Sequence, residues 1–166
     1  RVLAEQGLVA HIPHRGVSVA SPSIADVVDI YHARRTIECA ALRECMPSHP
    51  AVAAMTAAVA LGEERTAEAD WLGVGSANMA FHDAIVALAD SPRLARTFRN
   101  VAAELRLAFL EIDDPRGLHG PFVEKNRAML SALLERGPEA ATDHLEQYLL
   151  VSERAVIGAF TRLGKA

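Results

Sequence analysis

Apolar residues recur at intervals of three and four from Ile24 to the end of the chain, the spacing of amphipathic helices. No segment in this part has the alternation of a strand. Proline and glycine residues divide the pattern into six helices, at about 24–46, 50–70, 76–90, 92–112, 120–136 and 138–163. Aromatic residues make up only 5% of the chain although 51% is hydrophobic, which favours helix over sheet. The sequence therefore predicts an all-α fold, an antiparallel bundle of six to seven helices.

The first twenty residues follow a different pattern. Arg1–Gly7 resembles the end of a helix closed by a glycine. Two short β-prone runs, Leu8–Ile12 and Val17–Ala20, flank Pro13–Gly16 and predict a β-hairpin. An ordinary surface hairpin is the plainest interpretation of these residues alone. Because the chain begins with Arg1 in the middle of a predicted helix, we expect it to be a fragment of a longer protein.

Charge and cysteine content limit the class of protein. The formal net charge of −4 does not give the basic field of a self-contained nucleic-acid binder, so any DNA contact must come from a local patch or from sequence outside this chain. Cys39 and Cys45 lie in one predicted helix without metal-like spacing, which favours a reducing compartment and hence the cytoplasm. No apolar run approaches the roughly 18 residues of a membrane span, and we expect no membrane partner.

Polar side chains fall on the predicted buried stripes of four helices. They are Arg34 with Glu38, Asn78 with His82, Asn126, and Tyr148. Each has a plain structural interpretation: His82 as a hydrogen-bonded core histidine, Arg34 and Glu38 as an ion pair, and the others as satisfied core residues. However, uncompensated buried polar groups cost about 1–3 kcal/mol each, and a polar cavity that binds a small molecule explains all of them together.

The turn at Gly137 supports this interpretation. Asn126 precedes Gly137 by eleven residues and Tyr148 follows it by eleven, so both stand at the same height in an antiparallel helix pair. At a rise of about 1.5 Å per residue this height is roughly 16 Å from the turn. Asn126 and Tyr148 are therefore predicted to line one pocket deep in the bundle.

These features carry a family resemblance. The chain resembles GntR-family transcription regulators of the FadR-like branch, whose C-terminal effector-binding domain is called FCD. The matching segments are Leu3–Val9, Pro13–Ala20, Ile30–Glu38, Asn78–His82 and Asn126–Leu133. The resemblance implies that residues 1–20 end a winged helix-turn-helix DNA-binding domain, with the hairpin as its wing. Residues 21–166 would then form the effector-binding and dimerisation domain.

The function implied is that of a ligand-responsive transcriptional regulator that binds operator DNA as a homodimer. His14, Arg15 and Gly16 at the wing tip are expected to contact DNA, because arginine enters narrow minor grooves and glycine permits close approach. The bundle is expected to bind a small organic effector, a carboxylate held chiefly by Arg34, with Asn78, His82, Asn126 and Tyr148 lining the same cavity. An acyl thioester is an alternative effector.

Two other classes of function are compatible with the sequence. One is a helical dimerisation module without an effector, which is favoured if the polar residues merely bond to each other. The other is an enzyme built on His82, Asp83 and His119. No nucleophile, base and orienting group can be assembled from the sequence, so we expect no catalytic activity.

Many members of the resembled family hold a divalent metal with one aspartate and three histidines. The Asp-x-x-x-His pair is matched here by Asn78 and His82, and Asn126 and Tyr148 occupy the places of the other two histidines. Amide oxygens and a neutral phenol are poor ligands for Zn, Ni or Mn. His144 comes four residues before Tyr148, which puts it more than one position away from the predicted ligand, so we do not expect it to replace Tyr148. We therefore predict a degenerate site that retains only His82, with no metal cofactor.

Overall fold

The computed structural model describes residues 8–12 and 16–165. A two-stranded hairpin precedes seven helices in this part of the chain. The strands are β1 (Val9–Ile12) and β2 (Gly16–Val19). The helices are α1 (Ile24–Arg43), α2 (Ala51–Ala67), α3 (Trp71–Ala87), α4 (Pro92–Leu110), α5 (Pro115–His119), α6 (Phe122–Arg136) and α7 (Pro138–Arg162). The predicted all-α fold is confirmed.

Local capping residues set where the helices begin. Ser23 and Asp26 form a reciprocal capping box at the start of α1, in which Ser23 Oγ accepts the Asp26 N–H at 3.2 Å and the Asp26 carboxylate accepts the Ser23 N–H at 2.8 Å. Ser91 caps α4, which has proline at its first position. Gly137 joins α6 to α7 with a φ of +93°, a left-handed conformation that favours glycine.

The helices pack as antiparallel pairs around one core. α2 packs along α3, and α7 packs along both α1 and α6. The predicted antiparallel helix pair that turns at Gly137 is therefore present. α3 also contacts α1 and α6, which places it at the centre of the bundle. Large side chains such as Tyr31, Phe81, Met129 and Phe160 are fully buried at these contacts. None of the helices in the described ranges is long and apolar enough to cross a membrane.

Two predicted boundaries were wrong, for the same physical reason. α3 begins at Trp71 rather than residue 76, because the Asp70 carboxylate accepts the Gly73 N–H at 2.9 Å and caps a helix that incorporates its glycines. Residues 113–117, which lie between two predicted helices, contain the start of α5, where Asp114 accepts the Gly117 N–H at 2.8 Å. In both cases an aspartate cap outweighs glycine's unfavourable helix propensity.

The predicted hairpin is present. β1 and β2 pair antiparallel, with Val9 opposite Val19 and Ile12 opposite Gly16. Gly16 is exposed and has a φ of +88°, a conformation that L residues rarely adopt. His14 and Arg15, like the predicted helix end at 1–7, lie outside the described residues.

Candidate functional site

Four helices place polar side chains against one another in the centre of the bundle. All of these side chains are buried, with exposed fractions of 0–7%. They are Arg34 and Glu38 on α1, Asn78 and His82 on α3, Asn126 on α6 and Tyr148 on α7. We call these six residues the polar cluster. The inward orientation predicted from helix phase is thus confirmed, including that of the arginine.

One half of the cluster is a triad in which Arg34 and His82 both contact the Glu38 carboxylate. Arg34 Nε donates to Glu38 Oε1 at 2.7 Å, and the other carboxylate oxygen lies 2.5 Å from His82 Nδ1. Burial alone would raise the pKa of Glu38, but the charge of Arg34 and the hydrogen bonds from Arg34 and His82 outweigh it and lower the pKa. Burial lowers the pKa of His82, and Arg34 lowers it further against the opposing effect of Glu38. A neutral imidazole that donates from Nδ1 to the carboxylate leaves Nε2 as a hydrogen-bond acceptor.

The other half is centred on the amide of Asn78. Asn126 Nδ2 donates to Asn78 Oδ1 at 2.7 Å, and Tyr148 Oη donates to the same oxygen at 2.9 Å. Asn126 and Tyr148 therefore stand at the same height, as their equal distance from Gly137 predicts. Burial raises the pKa of Tyr148, so its phenol is neutral at physiological pH.

Aromatic packing joins the two halves and extends the polar network. The Tyr148 ring lies 4.7 Å from the His82 ring and 4.8 Å from that of Phe122, measured between centroids. The Tyr31 ring lies 5.3 Å from Arg34 Cζ, and the Tyr31 hydroxyl and Ser152 Oγ form a buried hydrogen bond of 2.6 Å. Sequence reasoning missed Ser152, although it lies one helical turn after Tyr148 on the same stripe of α7. Glu38 was predicted only as the partner of Arg34, not of His82.

Three buried polar atoms in this cluster have no hydrogen-bond partner among the described residues. They are Arg34 Nη2, His82 Nε2 and Asn126 Oδ1. A void beside Asn78 and Asn126 has a volume of only about 10 Å³ and otherwise has apolar walls. The cluster is thus closed in this conformation but has unused hydrogen-bonding capacity, one donor and two acceptors.

The donors present do not fit the divalent metal of the resembled family. Asn78 Oδ1 already accepts two hydrogen bonds, and the phenol of Tyr148 is neutral. Within residues 8–12 and 16–165, no group of three or more His, Cys, Asp or Glu side chains is arranged to hold a metal. His144 is outside the cluster, where its Nε2 lies 2.9 Å from Nη2 of Arg136. One imidazole and two amides form a weak donor set for such an ion.

The residues weighed for an enzyme do not form a catalytic arrangement. The carboxylate beside His82 belongs to Glu38, whereas Asp83 is exposed. His119 lies on α5 with its ring packed against Phe109, at 5.2 Å between centroids. No nucleophile accompanies His82 in the polar cluster.

Comparisons with known proteins agree with this architecture. The FCD domain profile matches residues 29–150. A crystal structure assigned to a GntR transcriptional regulator of Rhodococcus sp. RHA1 is 37% identical and superposes with a TM-score of 0.90, covering 95% of this chain and 76% of that one. A second structure is described by the words "Lar controls the expression of the Listeria monocytogenes agr system and mediates virulence". It is 13% identical with a TM-score of 0.73, covering 93% of this chain and 75% of that one, and it shows the shared fold alone. A search of curated proteins finds no match.

The class defined by the helical bundle and its buried polar cluster is that of an effector-binding regulatory domain, not an enzyme. The chain belongs to the FCD domain family and to the GntR-family transcription regulators.

Proposed function

We propose that the polar cluster binds a small organic acid and that binding modulates the affinity of a homodimer for operator DNA in the cytoplasm. The observation that carries this proposal is the set of three buried, unpaired polar atoms on Arg34, His82 and Asn126. Leaving such atoms unpaired costs about 1–3 kcal/mol each, a cost that a ligand with matching groups removes.

The unpaired atoms favour a hydroxy acid within the carboxylate class. Arg34 Nη2 is a donor and suits a carboxylate oxygen. His82 Nε2 and Asn126 Oδ1 are acceptors, so each requires a donor from the ligand. Hydroxyl groups supply such donors, whereas an ionised simple dicarboxylate offers none. A sugar acid therefore satisfies the three atoms better than a dicarboxylate.

Binding requires the cluster to open, because the adjacent void of about 10 Å³ cannot admit a sugar acid. The hydrogen bond from Tyr148 to Asn78 crosses between α7 and α3 and is the contact that a ligand must displace. Separation of these helices would change the placement of the DNA-binding domains in a dimer. A ligand can bias that placement only through its different affinities for the closed and open forms.

No metal takes part in the proposed recognition, because three of the four family ligand positions carry an amide or a neutral phenol.

The hairpin is proposed to be the DNA-contacting wing, with His14, Arg15 and Gly16 at its tip. Its support is the antiparallel pairing of β1 with β2 and the left-handed Gly16 at the start of β2. In a protein that joins this wing to a complete winged helix-turn-helix domain, Arg15→Ala should weaken operator binding by about 1–2 kcal/mol without affecting dimerisation. Unchanged affinity across a salt series would exclude Arg15 from the interface.

Calorimetric titration with matched acids tests the effector site. Gluconate and hexanoate both have six carbons, but only gluconate carries hydroxyl groups. We expect gluconate to bind with measurable heat and to raise the melting temperature, with or without EDTA, whereas hexanoate does neither. Asn126→Leu should weaken gluconate binding, since it removes an acceptor while Tyr148 still pairs with Asn78. As a control outside the cluster, Arg43→Met on α1 should bind gluconate normally, because Arg43 pairs with Glu146 instead.

A purely structural dimerisation module is the second candidate. It is favoured by the hydrogen bonds within the polar cluster and by the small size of the void. In that case no hydroxy acid in a panel should bind, and Asn126→Leu should leave both dimerisation and operator binding unchanged.

A further inference from the structure

A second cavity lies between α3, α4 and α5, and none of the polar-cluster residues lines it. Its volume is about 370 Å³, within the range of roughly 300–1,000 Å³ that small-molecule sites occupy. Its apolar walls are Leu72, Met79, Phe109, Leu110, Ile112 and Pro115. The polar groups that line it are Ser76, Arg106, Asp113 and His119. We call this cavity the lateral pocket.

His119 lies buried in the wall of the lateral pocket, with an exposed fraction of 6%. Gly75 makes this position possible, because a Cβ at residue 75 would come within 2.7 Å of His119 Nε2. Burial first, and the charge of Arg106 second, lower the pKa of His119 to about 4, so the imidazole is neutral at physiological pH. No group in the described ranges hydrogen-bonds to its ring nitrogens. The neutral ring thus offers the pocket one donor and one acceptor.

Arg106 supplies a positive charge at the same pocket. It is exposed, and no acidic side chain in the described part of the chain forms an ion pair with it. It belongs to α4, which has four arginines and only one acidic residue, Glu104. Asp113 at the rim opposes this charge in part. Apolar walls with an available guanidinium and an unpaired imidazole are complementary to a molecule that has an apolar body and one anionic group.

We propose that the lateral pocket is a second small-molecule site of the chain and takes an amphipathic carboxylic acid. The carboxylate pairs with Arg106 and accepts from His119, while an aromatic or branched aliphatic body packs against Met79 and Phe109. This ligand class differs from the hydroxy acid proposed for the polar cluster, and the inference does not depend on that proposal. Because α3 carries both Asn78 and Met79, one helix lines both sites.

Methyl NMR distinguishes the two sites within one protein. The chain contains four methionines, of which Met79 lines the lateral pocket and Met129 lies in the core one turn from Asn126. With ¹³C-methyl methionine labelling, phenylacetate should shift the Met79 signal saturably and leave Met129 in place. Phenylacetamide has nearly the same shape without the charge and should bind about tenfold more weakly or worse.

Two variants and a matched control complete the test. Arg106→Gln should weaken phenylacetate binding about tenfold or more, whereas Arg96→Gln, an exposed arginine of α4 outside the pocket, should change it less than about twofold. Ser76→Phe should block binding by filling the pocket from an exposed position of α3.

Three results of the binding measurements would overturn the second site. One is the absence of a Met79 shift at millimolar phenylacetate, and another is a shift of Met129 in its place. The third is equal affinity in the Arg106 and Arg96 variants. If Ser76→Phe instead separates a dimer in sedimentation, the pocket belongs to an interface between copies and the small-molecule proposal fails.

Discussion

Replacing Arg34 by methionine tests whether the charge balance of the polar cluster stabilises the bundle. Arg34 and Glu38 are 1% and 0% exposed, and their ion pair measures 2.7 Å. Methionine keeps the apolar stem but leaves the Glu38 carboxylate in the interior with only His82 beside it. Removing one partner of a buried pair costs about 3–5 kcal/mol. We expect the free energy of unfolding to fall by this amount, which for a chain of this size lowers the melting temperature by roughly 6–20 °C.

Two further variants control this experiment, which is read by urea denaturation followed by circular dichroism. Arg34→Met with Glu38→Gln should recover much of the loss, because glutamine removes the buried charge and still accepts from His82 Nδ1. Arg43→Met breaks a half-exposed ion pair with Glu146 and should cost only about 0–1 kcal/mol. If Arg34→Met lowers the free energy of unfolding no more than Arg43→Met does, the triad does not stabilise the fold through its charges. The same conclusion follows if adding Glu38→Gln lowers the free energy of unfolding still further.

The loss of stability caused by Arg34→Met should depend on pH. In the wild type the pKa of Glu38 is held below its ordinary value of 4.5, so its contribution to stability is present above that value and is lost as the pH falls. Without Arg34, burial has the largest effect on the pKa of Glu38 and raises it, so the Glu38–His82 pair retains a proton in the folded state. Because the unfolded chain releases that proton as the pH rises, the free energy of unfolding of the variant falls. The difference in unfolding free energy between the two proteins should therefore widen from about pH 5 to about pH 7. A constant difference would mean that Glu38 does not change its protonation.

Three further predictions concern packing, thiol reactivity and metal content. Gly75→Ala should lower the free energy of unfolding by about 1–3 kcal/mol, because the new Cβ pushes against buried His119. Gly158→Ala should raise it by up to about 1 kcal/mol, because its Cβ meets only the flexible tip of an arginine at 3.6 Å. Equal changes in melting temperature for the two variants would contradict the close packing of α3 on α5. Burial raises the pKa of Cys39 to about 11 and also raises that of Cys45, so iodoacetamide at about pH 8 should modify both far more slowly in native than in denatured protein. Protein dialysed after exposure to Zn, Ni or Mn should retain no metal in elemental analysis, and one retained equivalent would contradict the proposed metal-free site.

The sequence was sufficient to predict the bundle and the position of its polar cluster, because helical periodicity fixes which side of a helix a residue faces. Arg34 was predicted to point inward from its phase alone, and it is 1% exposed. The equal distances of Asn126 and Tyr148 from Gly137 predicted their common height, and both donate to one oxygen of Asn78. These predictions required only the rise and the periodicity of an α-helix.

What the sequence did not reveal depends on side-chain rotamers and on competition between local signals. The partner of His82 is Glu38 on another helix, a choice that helix phase alone does not determine. α3 was predicted to begin at residue 76, but the cap at Asp70 begins it before Gly73 and Gly75. The sequence indicates His119 only as a candidate catalytic residue, because the short helix that buries it begins within a segment with the composition of a loop.

Tyr148 lies where the resembled family has a histidine ligand, and this replacement changes the energetics of effector binding. Its hydroxyl contributes a hydrogen bond to the closed form, worth about 0.5–1.5 kcal/mol. If an effector binds only the open form, its apparent dissociation constant equals the intrinsic value divided by the open fraction. Tyr148→Phe removes the bond and keeps the ring between His82 and Phe122, so it should raise the open fraction by about two- to tenfold. We therefore expect gluconate to bind Tyr148→Phe about two- to tenfold more tightly in calorimetry, although the variant itself is less stable. Weaker binding would show that the hydroxyl contacts the ligand and that its bond to Asn78 is not the barrier to opening.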